Sequence, residues 1–258
     1  MRIAQITDTH LYADPGGRLM GIETRRSLEE VVALARARRP GLIVASGDLS
    51  HDGSPSSYHR LRECLAPLGA PVCCLPGNHD EAAVMRRILD GDGFRCIDSL
   101  CTNGWNLVFL DSTLRGSEGG HLAERQLHAL EQALAGHPEL PALIWLHHQP
   151  LPVGSAWLDT MAVDNPDQLF AVTDRHPQVR AIVWGHVHQC FDDRRKGVRL
   201  LAAPSTCIQF LPRSRDFALD DRPPGYRWLE LYPDGTMETG VERLARMPGV
   251  IDTAARGY

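Results

Sequence analysis

The sequence has 258 residues, 43% of them apolar and 23% charged, and a formal net charge of −5, so we expect one domain over 1–258 with an irregular C-terminal tail over 245–258. The negative balance excludes the broad basic surface on which binding of polymeric DNA or RNA depends. No apolar run approaches a membrane span, no signal peptide is visible, and seven cysteines without paired CxxC motifs favour the cytoplasm.

Apolar runs alternate along the chain with longer segments of helical spacing. In chain order, these runs predict strands near 2–7, 41–46, 71–75, 106–111, 141–146, 179–184, 198–203, 226–232 and 236–242. The segments between them predict helices near 24–39, 55–67, 79–90, 122–136 and 165–175. This alternation is typical of an α/β fold, and the last, mostly helix-free third indicates antiparallel additions to the sheet. In such folds, the functional residues usually lie in the loops beyond the carboxyl ends of the strands.

Five predicted strands end in residues that can bind a metal or move a proton. These residues are Asp8-Thr9-His10, Gly47-Asp48, Gly77-Asn78-His79-Asp80, His147-His148 and Gly185-His186-Val187-His188. Taken singly, each has a structural explanation, because Asp caps turns and helices and Asn after Gly forms tight turns. Five such coincidences in this order are hard to attribute to turns alone. The pattern therefore predicts a metal centre.

The predicted centre has enough donors for two metal ions. Seven residues supply them: Asp8, His10, Asp48, Asn78, His147, His186 and His188. Two ions about 3.5–4 Å apart need a bridging carboxylate. Because only two of the seven ligands carry a formal negative charge, the centre stays cationic and attracts phosphate. A hydroxide bridging the two ions would attack the phosphorus of a diester in line with the leaving oxygen.

The order Asp-x-His, Gly-Asp, Gly-Asn-His-Asp, His, Gly-His-x-His resembles the signature of the calcineurin-like metallophosphoesterase superfamily, and every position is filled. The surrounding segments are similar to the bacterial class III 3′,5′-cyclic AMP phosphodiesterases. They are 5–11, 75–80, 146–148, 157–159, 185–189 and 204–207. One departure is Gln149, where many relatives carry Pro or His; it leaves the predicted ligands intact but changes the rim of the site.

This resemblance implies an α/β fold of two facing mixed β-sheets flanked by helices, a four-layer sandwich. It implies two metal ions per chain, Fe and/or Mn, with Zn or Co as alternatives, and it admits a homodimer. The first ion would be held by Asp8, His10, Asp48 and His188, and the second by Asp48, Asn78, His147 and His186. Asp48 would bridge, and His79 would act on the leaving oxygen. The substrate would contact His10, Asp48, Asn78, His79, His147 and His188.

The activity implied by the resemblance is hydrolysis of 3′,5′-cyclic AMP to 5′-AMP, with a small cyclic nucleotide as the partner. The same cluster would also serve another small phosphodiester, such as a 2′,3′-cyclic nucleotide or a glycerophosphodiester. A non-catalytic scaffold of this fold is a third alternative, although such scaffolds should have broken ligand motifs. The loops near Trp157 and from Ser205 to Phe210 could stack on a base.

Other polar residues have weaker assignments. Asp111 could orient a metal-binding histidine or form a turn. His148 is expected at the rim or in the core, because His147 already supplies a ligand. A solvated helix face explains His121, His128 and His137.

Overall fold

A computed structural model describes residues 1–252, and two six-stranded sheets dominate it. The first sheet contains β1 (Arg2–Ile6), β4 (Leu42–Ser46), β5 (Val72–Leu75), β6 (Phe94–Arg95), β15 (Gly225–Leu231) and β16 (Met237–Arg243). Their order across the sheet is β16-β15-β1-β4-β5-β6. Strands β1, β4, β5 and β6 run parallel, and β15 and β16 extend the sheet by antiparallel pairing.

The second sheet contains β7 (Ser99–Thr102), β8 (Trp105–Phe109), β9 (Ala142–Trp145), β10 (Val179–Trp184), β11 (Phe191–Arg195) and β12 (Val198–Ala202). Their order is β11-β12-β10-β9-β8-β7. The four central strands are parallel, and the two edge strands pair antiparallel. Two short hairpins lie outside the sheets, β2 (Arg18–Leu19) with β3 (Ile22–Glu23) and β13 (Gln209–Phe210) with β14 (Leu219–Asp220).

Helices cover the outer face of each sheet. They are α1 (Thr24–Arg36), α2 (Pro55–Leu65), α3 (Ala82–Leu89), α4 (Glu124–Ala135), α5 (Ala156–Asp159) and α6 (Pro166–Thr173). The first three pack on the first sheet, and α4 and α6 pack on the second. A third apolar cluster fills the space between the two sheets. The four layers confirm the predicted fold of two facing mixed sheets flanked by helices.

The strand β4 shows why the central strands read as unbroken apolar runs. Side chains alternate between the two faces of a strand. Ile43 and Ala45 therefore pack under the helices, while Leu42 and Val44 face the other sheet. Because both faces are covered, every position in the run is buried.

All nine predicted strands and all five predicted helices are present; β10 has the predicted bounds, and the others differ at one or both ends. The largest correction is the helix predicted near 79–90, which begins only at Ala82. The carboxylate of Asp80 accepts a hydrogen bond from the N–H of Gly77 at 2.9 Å, which holds the preceding residues in a turn. Seven strands and one helix have no counterpart among the predicted elements: β2, β3, β6, β7, β11, β13, β14 and α5.

The described part of the predicted tail, residues 245–252, contains neither helix nor strand. The N–H of Asp252 donates to the carbonyl of Met20, so this segment contacts the β2–β3 hairpin. The remaining positions of the tail, 253–258, lie outside the described residues. None of the helices described over 1–252 has the length and apolar character that a bilayer span requires.

Candidate metal centre

The predicted ligands meet where strands of both sheets end. Five of them have left-handed backbone conformations, with φ between 45° and 62°: Asp8, His10, Asp48, His186 and His188. Non-glycine residues seldom adopt this region, and each instance costs of order 1–3 kcal/mol. Such strain persists where surrounding contacts impose it, as they do at functional sites.

Hydrogen bonds between the turns impose these conformations. The carboxylate of Asp8, on the first sheet, accepts the N–H of His186, on the second, at 3.0 Å. The Oδ1 atom of Asp48 accepts the N–H of His79 at 2.9 Å. The carboxylate of Asp80 accepts the N–H of Ser50 at 2.9 Å, which joins the Gly-Asp turn to the Gly-Asn-His-Asp turn. The motifs therefore form one connected network across the two sheets.

Two glycines of the motifs make this close approach of the turns possible. A Cβ atom at Gly77 would lie 2.2 Å from Oδ1 of Asp48. A Cβ atom at Gly185 would lie 2.1 Å from Oγ1 of Thr7. Real Cβ atoms essentially never approach that closely, so any other residue would force the turns apart.

The ligating atoms converge within a small volume. Nε2 of His188 lies 3.3 Å from Nε2 of His10 and 3.4 Å from Oδ1 of Asp8. Nε2 of His147 lies 3.3 Å from Oδ2 of Asp48. Two groups of three residues each have ligand atoms within 4.8 Å of one another, Asp8 with His10 and His188, and Asp8 with Asp48 and His147.

Several of these atoms are buried without a hydrogen-bond partner among the described residues. They are Oδ2 of Asp48, Oδ1 of Asn78, Nε2 of His147 and both ring nitrogens of His186. An unsatisfied buried polar atom costs roughly 1–3 kcal/mol. Carboxylate, amide and imidazole donors of this kind suit divalent transition metals, so the residues fit a metal centre.

The charges of the cluster favour metal binding. Burial lowers the pKa of both His10 and His186 well below the usual value, which leaves these imidazoles neutral. Burial alone would raise the pKa of Asp48, but nearby imidazoles, His147 foremost, hold it well below its usual range. Burial likewise opposes protonation of His147, yet the Asp48 carboxylate outweighs it and raises the pKa of His147 to about 9. Metal ligands must be deprotonated, so a cation binding here displaces a proton from His147.

The ring nitrogens of His147 and His188 that point away from the centre also have hydrogen-bond partners. Nδ1 of His147 lies 3.0 Å from the carbonyl of Ser46, and Nδ1 of His188 lies 2.9 Å from the carbonyl of Ile208. A carbonyl can only accept, so each Nδ1 carries a proton, and Nε2 is the nitrogen left to bind a metal. Such outer partners orient metal-binding histidines.

Two histidines that the sequence analysis did not assign to the centre lie beside it. His51 comes three residues after Asp48, and its ring stacks on that of His79 with centroids 4.7 Å apart. His148 is buried, with Nδ1 2.9 Å from Oγ of Ser112 and its ring 4.7 Å from that of His186. His148 therefore lies in the core beside the centre. In the sequence, only proximity to a motif indicated that His51 and His148 would lie near the centre.

The other candidates lie apart from the cluster. Asp111 accepts hydrogen bonds from the N–H and Oγ1 of Thr113, at 3.0 and 2.7 Å, and so forms the turn that was its alternative assignment. His121 pairs with Asp164 at 2.6 Å on the surface.

A cavity of about 120 Å³ opens beside the centre. It is lined by Asn78, His79, Glu118, Trp157, Met161, His186 and Phe217. Trp157 therefore reaches the cavity, as the base-stacking hypothesis requires. Phe210 instead stacks on His188, with centroids 4.2 Å apart and planes 13° apart.

Comparison with known proteins agrees with this geometry. The calcineurin-like phosphoesterase family model matches residues 1–190. The chain is 43% identical, over 99% of its length and 94% of the relative, to a protein of Pseudomonas aeruginosa named 3′,5′-cyclic adenosine monophosphate phosphodiesterase CpdA. It is 42% identical, over 100% and 95%, to the protein of that name in Escherichia coli (strain K12).

Among solved structures, a dimetal phosphatase from Danio rerio superposes with a TM-score of 0.67 at 16% identity, covering 93% of this chain and 95% of that one. At that identity the likeness supports the fold alone. The family model and the full-length relatives together establish that the chain belongs to the calcineurin-like phosphoesterase family.

Proposed function

We propose that this protein is a dinuclear metal-dependent phosphodiesterase that hydrolyses 3′,5′-cyclic AMP to 5′-AMP. The observation that carries the proposal is the convergence of the candidate ligands at the junction of the two sheets, where atoms of Asp48, Asn78, His147 and His186 lack hydrogen-bond partners among the described residues. The chain also matches a cyclic AMP phosphodiesterase over 99% of its length. A non-catalytic scaffold would not need so many buried donors without hydrogen bonds, because each one destabilises the fold.

Seven residues would hold the two ions. Asp8, His10, Asp48 and His188 would bind the first, and Asp48, Asn78, His147 and His186 the second. The family resemblance favours Fe and/or Mn as the pair, and Zn or Co are alternatives because these ligands accept all four metals. When bound, such ions supply Lewis acidity, which lowers the pKa of water and offsets charge on phosphate.

The chain's own residues would position the phosphate and supply the leaving group with a proton. His79 is tied to Asp48 through its backbone N–H, so its ring lies beside the cluster and lines the cavity. From there a ring nitrogen would donate a proton to the departing 3′-oxygen, the role that histidine most often fills as a general acid. His10, Asp48, Asn78, His79, His147 and His188 are the proposed contacts of the substrate.

The cavity favours a nucleoside over the alternatives. Trp157, Met161 and Phe217 give it three apolar walls, and none of the described residues that line it is a lysine or an arginine. A purine stacks well on such walls, whereas the polar head of a glycerophosphodiester does not. Glu118 adds a carboxylate that can accept a hydrogen bond from an exocyclic amino group and repels a second anionic group.

A substrate panel tests this proposal. The metal-loaded protein would be assayed on 3′,5′-cyclic AMP, 2′,3′-cyclic AMP, glycerophosphodiesters and phosphomonoesters, and kcat/KM compared. We expect 3′,5′-cyclic AMP to give the highest value. A kcat/KM at least tenfold higher for another diester would make that diester the substrate in place of 3′,5′-cyclic AMP. Inactivity on every substrate with both metals bound would favour the hypothesis of a non-catalytic scaffold.

The cellular setting follows from the same proposal. All seven cysteines are free thiols, four of them buried, which suits the reducing cytoplasm where we place the enzyme. The family resemblance admits a homodimer, and light scattering of the purified protein would measure the oligomeric state.

A further inference from the structure

We propose that His51 is a positioning residue of this site, which orients the metal-binding His10 with its ring nitrogen and fixes the ring plane of His79 by stacking. The proposal rests on the function proposed above only for the role of His79. Its other half concerns metal binding and can be measured without any substrate.

The contact with His10 is the first support. Nε2 of His10 faces the centre, 3.3 Å from Nε2 of His188 and 3.8 Å from Oδ2 of Asp48. Its Nδ1 therefore points away and lies 3.3 Å from Nδ1 of His51. With the lone pair of Nε2 kept for a metal, Nδ1 of His10 carries the proton and donates it to Nδ1 of His51.

This arrangement differs from that of the other two oriented ligands. His147 and His188 are held by the backbone carbonyls of Ser46 and Ile208. A backbone carbonyl is present whatever residue occupies the position, whereas the acceptor for His10 is a side chain that a substitution can remove. The orientation of His10 therefore depends on which residue occupies position 51.

The stack with His79 is the second support. The rings of His51 and His79 lie 4.7 Å apart with planes 20° apart, and His10 meets His79 edge-on at 5.0 Å. His51 is itself held in place. Its backbone N–H donates to the carbonyl of Leu11 at 2.8 Å, and the ring of Tyr12 packs against its ring with centroids 4.7 Å apart. The half-buried ring of His79 therefore packs against a ring whose own position is fixed.

Two substitutions separate the two roles. His51→Phe keeps a ring for stacking but removes the acceptor for His10. His51→Asn places an amide oxygen where Nδ1 was and so keeps an acceptor, but it removes the ring. His59→Asn is the matched control, since His59 is an exposed histidine on α2.

Metal binding tests the first role. Titration of the metal-stripped proteins with Mn should show affinity reduced about 10–100-fold in His51→Phe, the usual loss when an outer partner of a ligand is removed. His51→Asn and the control should stay within about threefold of the wild type, while all four proteins show the same cooperative melting transition. Unchanged Mn affinity in His51→Phe would overturn this half of the proposal.

Kinetics at saturating metal test the second role. His51→Asn should lose about 10-fold in kcat on cyclic AMP and clearly less on a nitrophenyl phosphodiester, whose leaving group needs little protonation. In a His79→Ala background, His51→Asn should cause no further loss, because residues that act through one another are not additive. Equal losses on both substrates, or additive losses in the double variant, would show that His51 does not act through His79.

These measurements also separate failure of this inference from failure of the proposed function. Should the wild type prove inactive on cyclic AMP yet hydrolyse another diester, the leaving-group comparison is made on that diester instead. The Mn titration is unaffected by the identity of the substrate, so the role toward His10 is decided either way.

Discussion

Asp48 occupies the position between the two groups of ligands. Its Oδ1 atom accepts a hydrogen bond from the backbone N–H of His79, while its Oδ2 atom has no hydrogen-bond partner within residues 1–252. That second oxygen lies 3.3 Å from Nε2 of His147 and 3.8 Å from Nε2 of His10, which belong to the two proposed sites. One carboxylate oxygen thus faces ligands of both metals, which is what a bridging residue must do.

Asp48→Ala should therefore abolish activity together with occupancy of at least one metal site. The variant removes the shared ligand and also the acceptor that holds the turn carrying His79. Elemental analysis and turnover would be measured on the same preparation, with Asp52→Ala, an exposed carboxylate four residues away, as the control. Two metals per chain with near-normal turnover in Asp48→Ala would remove the bridging assignment.

The role of His79 can be distinguished from that of a metal ligand by comparing the rate loss of His79→Ala on two substrates. His79→Ala should retain both metals yet lose about 10²–10⁴-fold in rate on cyclic AMP, the range of general acid catalysis. On a nitrophenyl phosphodiester the loss should be much smaller, because phenolate leaves without a proton. Equal losses with both metals retained would indicate that His79 instead positions the phosphate, and loss of a metal would make it a ligand.

At the scale of elements, the short helix α5 brings Trp157 to the cavity. Its ring packs edge-on against Phe210 at 4.9 Å and Phe217 at 5.2 Å, so its orientation is held from two sides. Stacking of a base on an aromatic side chain is worth about 1–3 kcal/mol. A base bound in this cavity would therefore owe much of its affinity to a helix of only four residues.

Trp157→Ala should raise KM for cyclic AMP about 10-fold, with a much smaller change in kcat and in metal content, since about 1.4 kcal/mol corresponds to tenfold in affinity. Trp157→Phe keeps an aromatic wall and should recover most of the loss. Steady-state kinetics on cyclic AMP and on a nitrophenyl phosphodiester, which has no base, would be compared. An equal rise of KM for both substrates would place the base elsewhere.

The elements that the sequence predicted are those whose burial imposes a pattern. Strands such as β4 and β10 are covered on both faces, so they appear as apolar runs, and the motif residues are recognisable because they come directly after such runs. The edge strand β11 is largely exposed and reads Phe-Asp-Asp-Arg-Arg, without an apolar signal. The helix α5 is too short for helical periodicity to show.

The unpredicted part of the site has a similar cause. His51 and His148 contact the centre through rings that come from different segments, as in the contact of His148 with His186. No spacing in the sequence encodes those contacts. The candidate ligands could be singled out because five strand ends repeat one arrangement, whereas the residues around them follow no repeated pattern.

At the scale of the whole molecule, the two sheets are joined in two different ways. Near the centre they are connected through polar contacts such as that of Asp8 with His186. Away from it, the buried Arg227 of β15 donates to the carbonyls of Ala202 and Phe191 on the second sheet, at 2.8 and 3.0 Å. The apolar layer between the sheets adds Trp105, Trp145 and other large buried side chains.

Because the contacts of Arg227 and the apolar layer do not involve the proposed metal ligands, chelation should inactivate the protein without unfolding it. We expect activity to disappear after metal removal and to return with Mn or Fe. The stripped protein should keep a cooperative melting transition, at a lower Tm, because metal that binds only the folded state adds stability that grows with the logarithm of its free concentration. Calorimetry of the stripped and reloaded protein would measure this difference. A stripped protein with no cooperative transition would mean that the contacts of Arg227 and the apolar layer do not hold the sheets together, and that the folded state depends on the centre itself.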